Sequence, residues 1–128
     1  MKQFSIILFA ILFVSCTTCK VAKTSPIREI QFGSGGGFTG ARTTYSLKAD
    51  GSLWKGNEKI KTLSCDSLTS IFELAETLPK ENFVHPNNTY SFVRIIRSGT
   101  TYYYTWSWGN STPSKPVSDI YFKLNKQL

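Results

Sequence analysis

Two runs rich in β-branched and aromatic residues, Tyr90–Arg97 and Thr101–Trp108, are separated only by a turn at Ser98-Gly99. Nothing else in the chain restricts its fold as much. Parallel strands need a crossover of a dozen or more residues, so so short a link commits the two runs to an antiparallel hairpin. The same logic applies upstream. Ala41–Ala49 alternates, with Thr43, Tyr45 and Leu47 on one side and Arg42, Thr44, Ser46 and Lys48 on the other, as a half-buried strand does. Asp50-Gly51 turns the chain back into Ser52–Gly56, and Asn57-Glu58 turns it again into a strand over Lys59–Cys65. Ile27–Phe32 reads as a first strand, with Ile30 and Phe32 on one face.

Helical spacing appears twice. Leu68, Ile71, Phe72, Ala75 and Leu78 recur at steps of three and four, with Asp66 or Ser67 placed to cap the start and Pro79 to end it. Val117, Ile120, Tyr121, Leu124 and Leu128 mark a closing helix over Val117–Leu128. Lys80–Asn88, which ends in the turn cluster His85-Pro86-Asn87-Asn88, and Asn110–Pro116 read as loops. The order β-β-β-β-α-β-β-α predicts an α+β domain of two layers, an antiparallel sheet of about six strands with the helices on one face.

The chain begins MKQFSIILFAILFVSC. Lys2 supplies a positive charge, Phe4–Val14 is apolar except for Ser5, and Ser15 is small. This is the layout of a secretory signal, and its apolar stretch falls short of the ~20 residues that span a bilayer. Residues 1–15 are therefore expected to be a signal peptide. Residues 16–26, polar and ending in Pro26, form a tether, and residues 27–128 form a single domain.

Phe13-Val14-Ser15-Cys16 resembles the lipobox of bacterial lipoproteins, with Phe13 where leucine is usual. The resemblance implies a diacylglycerol on the Cys16 sulfur, cleavage before Cys16, and a lipid bilayer as partner. Two or three acyl chains hold a protein on a membrane. Thr17 after the cysteine is similar to the pattern that enteric bacteria sort to the outer membrane. The absence of an acidic pair after Cys16 points to the periplasmic face. The segment FGSGGGFTG followed by YSLKADGSL also resembles a group of small lipoproteins of Bacteroidota over residues 30–53. That likeness carries no activity across.

The formal charge is +7, of which the signal segment contributes only Lys2. A basic domain favours anionic partners such as lipid head groups, lipopolysaccharide phosphates or acidic glycans. The cations are scattered, however, so a solvated basic surface explains them equally. Nucleic acid is not expected in an exported compartment. Cys19 and Cys65 remain beside Cys16. Two free thiols, with Cys65 a small buried hydrophobe, are the favoured reading. A Cys19–Cys65 disulfide is the alternative that an oxidising compartment allows. Neither the cysteines nor the single histidine make a metal site, which wants several well-placed ligands, and no cofactor is expected.

Three stretches are candidates for function. The glycine run Phe32–Gly40 lacks the lysine of a phosphate loop and leads into a strand rather than a helix. It reads as a wide turn with Phe38 packing back on the domain, or as a ligand-facing loop through Gly35, Gly36, Gly37 and Phe38. Tyr102, Tyr104, Trp106 and Trp108 share one face of their strand. Such a stripe is either core beneath a helix or a platform for sugar rings. Asp66-Ser67-Leu68 resembles the O-glycosylation motif of Bacteroidota, which would modify Ser67, although Ser67 also suits a helix start. His85 has no acid beside it in sequence, and no catalytic set emerges. Arg94 and Arg97 are expected on opposite faces of their strand. The expected protein is a membrane-anchored, non-enzymatic binding module for an envelope component, glycan or protein. An inhibitor or immunity-type protein and a small hydrolase are the alternatives.

Overall fold

The computed structural model describes Cys19 and residues 24–128. The expected signal segment and the lipidated Cys16 lie outside the described residues. Among the described residues the chain runs β1 (Ile27–Gly36), β2 (Arg42–Lys48), β3 (Ser52–Lys55), β4 (Glu58–Thr62), α1 (Cys65–Glu76), β5 (Phe83–His85), β6 (Thr89–Arg97), β7 (Thr100–Trp106) and α2 (Lys115–Asn125). The strands form one seven-stranded sheet in the order β4-β3-β2-β1-β6-β7-β5. The pairings are antiparallel except that of β5 with β7, which is parallel.

β1 lies at the centre, and its register decides which residues meet. Simple alternation would put Ile27 and Ile30 on opposite faces. A β-bulge between Ile27 and Glu29 brings them to the same one. On that face Ile30 stands opposite Leu47 and Ile95, Phe32 opposite Val93, and Val93 opposite Tyr104. Leu68, Ile71 and Phe72 of α1 and Val117, Ile120 and Leu124 of α2 complete a single core with them. Burying each such side chain contributes about 1.5–3 kcal/mol. The helices therefore share one layer, as the sequence order predicts. The opposite face carries Gln31, Ser46, Lys48, Arg94 and Tyr103, and no helix among the described residues covers it.

Beside shifts of a few residues at the ends of β4, β7 and α2, three departures from expectation stand out. β1 continues through the glycines to Gly36, because Gly33 and Gly35 are paired on both sides, to Thr44 and Arg42 of β2 and to Phe92 and Tyr90 of β6. Only the tip from Gly37 to Ala41 is a turn, so the wide loop is corrected to a central strand. β5 is a seventh strand inside the stretch read as loop. Ser64, not Asp66 or Ser67, caps α1. Its extended backbone lets Oγ accept the Ser67 N–H at 3.3 Å, so the helix starts at Cys65. The Asp50-Gly51 turn is present, and Asp50 accepts hydrogen bonds from the side chain and backbone N–H of Ser52. Those bonds hold its carboxyl below the usual carboxylate range.

Cys19 and Cys65 are joined by a disulfide, with Cα atoms 5.4 Å apart. This corrects the expectation of two free thiols. Further along, the Ser25 hydroxyl donates to Glu76, which also pairs with Arg97 at 3.0 Å. The chain before β1 is thus tied to both ends of α1.

Candidate functional site

A cleft lies on the helix-bearing face, past the end of the helical layer. Its volume is about 350 Å³, and it is lined by Ser34, Gly35, Gly36, Ala41, Thr43, Thr89, Tyr90, Ser91 and Trp108. Two of the sequence candidates thus meet here, the glycine run and the last residue of the aromatic stripe.

The glycines are required by close approach. Gly36 has φ +92°, and a Cβ there would lie 1.9 Å from the Asn88 carbonyl oxygen. The neighbouring Gly37 N–H donates to that same oxygen at 2.8 Å. A Cβ at Gly35 would fall 2.6 Å from the Tyr90 hydroxyl. Gly36 lets the 87–90 segment lie against the strand beside the cleft.

Trp108 forms the wall. It has left the strand, because Ser107 turns inward and is buried. The Ser107 hydroxyl donates to the Thr89 carbonyl and accepts the Asn87 N–H, while its own N–H donates to Ser111 Oγ at 3.0 Å. Ser111 in turn donates to the His85 carbonyl at 2.9 Å. This network sets the position of Trp108, whose indole N–H donates to Ser91 Oγ at 3.1 Å. One side of the ring stacks on Phe122 of α2 with centroids 5.7 Å apart. Trp108 remains 50% exposed and Phe122 53%.

The rest of the stripe is not a platform. Tyr104 and Trp106 are buried in the core, and Tyr102 is half-buried against it. Trp106 packs edge-on to Tyr121 of α2 at 5.2 Å, so the helix covers what a ligand would need. Tyr104 donates its hydroxyl to the Pro79 carbonyl. Burial, with Tyr102 beside it, pushes its pKa up to about 12. Phe38 departs from both earlier readings: it does not pack back and does not line the cleft. It stands at the hairpin tip fully in solvent. Gly37 has open space around its Cα and is no part of the lining.

Ser67 is half-buried and accepts a hydrogen bond from Ser64 Oγ at 3.1 Å. His85 lies exposed on β5 with its ring 4.5 Å from that of Phe83. Arg94 and Arg97 do occupy opposite faces, Arg97 reaching Glu76 on α1 and Arg94 reaching Gln31. The sequence reading missed the hydroxyl residues Ser34, Thr43, Thr89 and Ser91. Their signal was a run of small polar residues on the core face of β1, β2 and β6, where apolar ones end. No protein-family model and no curated protein matches the sequence.

Proposed function

We propose that the chain is a lipid-anchored, non-enzymatic envelope protein that binds a glycan in the cleft beside Trp108. The observation that carries this reading is the lining: the hydroxyl residues Ser34, Thr43, Thr89 and Ser91 beside one half-exposed indole. Sugars are bound by such a combination, hydroxyls matching hydroxyls and an aromatic face taking the C–H face of the ring. The lining includes no carboxylate, imidazole or amine, which favours binding over acid–base chemistry.

The lipid anchor at Cys16 fits the bridge geometry. Cys19 is three residues further on and is bound to the start of α1. Leu68 of that helix lies beside Gly51, at the end of the sheet where Lys48 pairs with Glu29. The cleft is at the other end of β1, about 20 Å away along the strand. An acylated Cys16 would hold the first end near the bilayer and leave the cleft open to the periplasm.

A titration of the protein with peptidoglycan disaccharides and neutral envelope oligosaccharides, followed by calorimetry, tests the reading. Binding weakened at least tenfold by Trp108→Ala is expected. Binding by none of the glycans, or binding indifferent to Trp108→Ala, would overturn it. A protein partner, of the inhibitor or immunity kind, is the second reading, and fully exposed Phe38 favours it. Phe38→Ser would then abolish partner capture while leaving glycan titrations unchanged.

A further inference from the structure

Phe92 is the exception on the helix-free face. It is 2% exposed, yet no helix among the described residues lies over it and it stands outside the main core. Two arginines cover it. The guanidinium carbon of Arg42 is 4.2 Å from the ring centroid and that of Arg94 is 5.4 Å away. Arg94 also lies 5.3 Å from the Tyr103 ring. Gly33 supplies the floor, since a Cβ there would come within 3.3 Å of the Phe92 ring. The cross-strand row through Gly33 and Phe92 runs to Thr44 on one side and, on the other, to Thr105 and then Val84 of β5.

These cations are not neutralised. The ion pairs among the described residues are Arg97–Glu76 and Lys115–Asp119. Arg94 has one long hydrogen bond, to Gln31 at 3.4 Å. Burial, and then the charge of Arg42, pull the Arg94 pKa below its ordinary value. A guanidinium nonetheless stays protonated in proteins. Both guanidinium groups lie against one ring, near enough for the Arg42 charge to act on Arg94, an arrangement that an oxyanion would relieve.

We propose that Arg42 and Arg94, held over Phe92, form a receptor for a phosphate group carried on a sugar. Two monocations match the charge of a phosphate monoester, and guanidinium forks match its oxygens. A carboxylate would satisfy only one fork. Tyr103, 41% exposed, offers a ring for the sugar, and Thr44 and Thr105 offer hydroxyls. The site lies across the sheet from the cleft and stands independently of the glycan reading there.

The test is calorimetric titration at fixed ionic strength with glucose 6-phosphate, glucuronate and glucose. Glucose 6-phosphate should bind at least tenfold more tightly than glucuronate, and glucose should not bind. Arg42→Gln and Arg94→Gln should each weaken it about tenfold, the loss expected for one charge-assisted hydrogen-bonded contact. Arg42→Lys keeps the charge but not the fork, and should lose nearly as much. Arg42 is exposed, so both of its variants should melt as the parent does. Trp108→Ala should leave this binding unchanged. No binding of glucose 6-phosphate would overturn the proposal, as would equal binding of glucuronate or full retention in Arg42→Lys.

Discussion

Reducing the Cys19–Cys65 bridge should destabilise the domain by about 2 kcal/mol, well short of what the loop alone suggests. The bridge closes a sequence separation of 46 residues. Constraining an unfolded chain by such a loop is worth about 4 kcal/mol in the chain-entropy model. The folded protein, however, already keeps the two cysteines near each other. Ser25 is hydrogen-bonded to Glu76 on the helix that Cys65 begins, so the reduced native state leaves only a short link back to Cys19. The difference in closure entropy between 46 residues and a link of roughly six is about 2 kcal/mol. Urea denaturation of the protein from Thr17 onward, with and without a phosphine reductant, measures it. Cys65→Ser should reproduce the reduced value, and the melting temperature should fall by roughly 8 °C. An unchanged midpoint would refute the bridge. A loss near 4 kcal/mol would refute the claim that the Ser25 contact holds the link short.

Two further outcomes follow from the packing. The Tyr104 pKa is raised to about 12 by burial and Tyr102, so the unfolded chain loses the phenolic proton first, near pH 10. Stability contributed by the protonated phenol should be fully present below pH 10 and fall by about 2 kcal/mol towards pH 12, and Tyr104→Phe should flatten that limb of a urea-midpoint profile. Gly36→Ala should cost at least about 2 kcal/mol and weaken cleft binding, because its Cβ meets the Asn88 carbonyl, whereas Gly37→Ala, with φ +82° but open space, should cost only about 1 kcal/mol by thermal melts.

Local features were legible in the sequence and long-range ones were not. The Ser98-Gly99 and Asp50-Gly51 turns, the helix at Leu68–Leu78 and the opposite faces of Arg94 and Arg97 depend on neighbours a few residues away. The glycine run misled because isolated glycines weaken strands. Here ladders to β2 and β6, both distant in sequence, hold it extended. β5 is three residues long and joins the sheet by parallel pairing to β7, which no local pattern announces. The aromatic stripe was placed on the correct face, but whether it was covered depended on where α2 settled. Trp108 left that stripe because Ser107, a residue with no apolar signal, is buried by four hydrogen-bonding partners. The arginine pair is assembled from β2 and β6, which are not neighbours. A lone phenylalanine on the polar face of YSFVRIIR was the trace it left.

The two borders of the sheet differ in how they resist company. All five residues of β4, Glu58 to Thr62, are exposed, and Lys59 and Lys61 lie among them. A second strand arriving there would have to bring two ammonium groups against its own backbone. β5 is three residues long and is followed directly by Pro86, which has no N–H to offer. Both borders thus discourage edge-to-edge pairing. If Cys16 is acylated as proposed, copies crowded onto one bilayer would meet at edges ill-suited to joining their sheets.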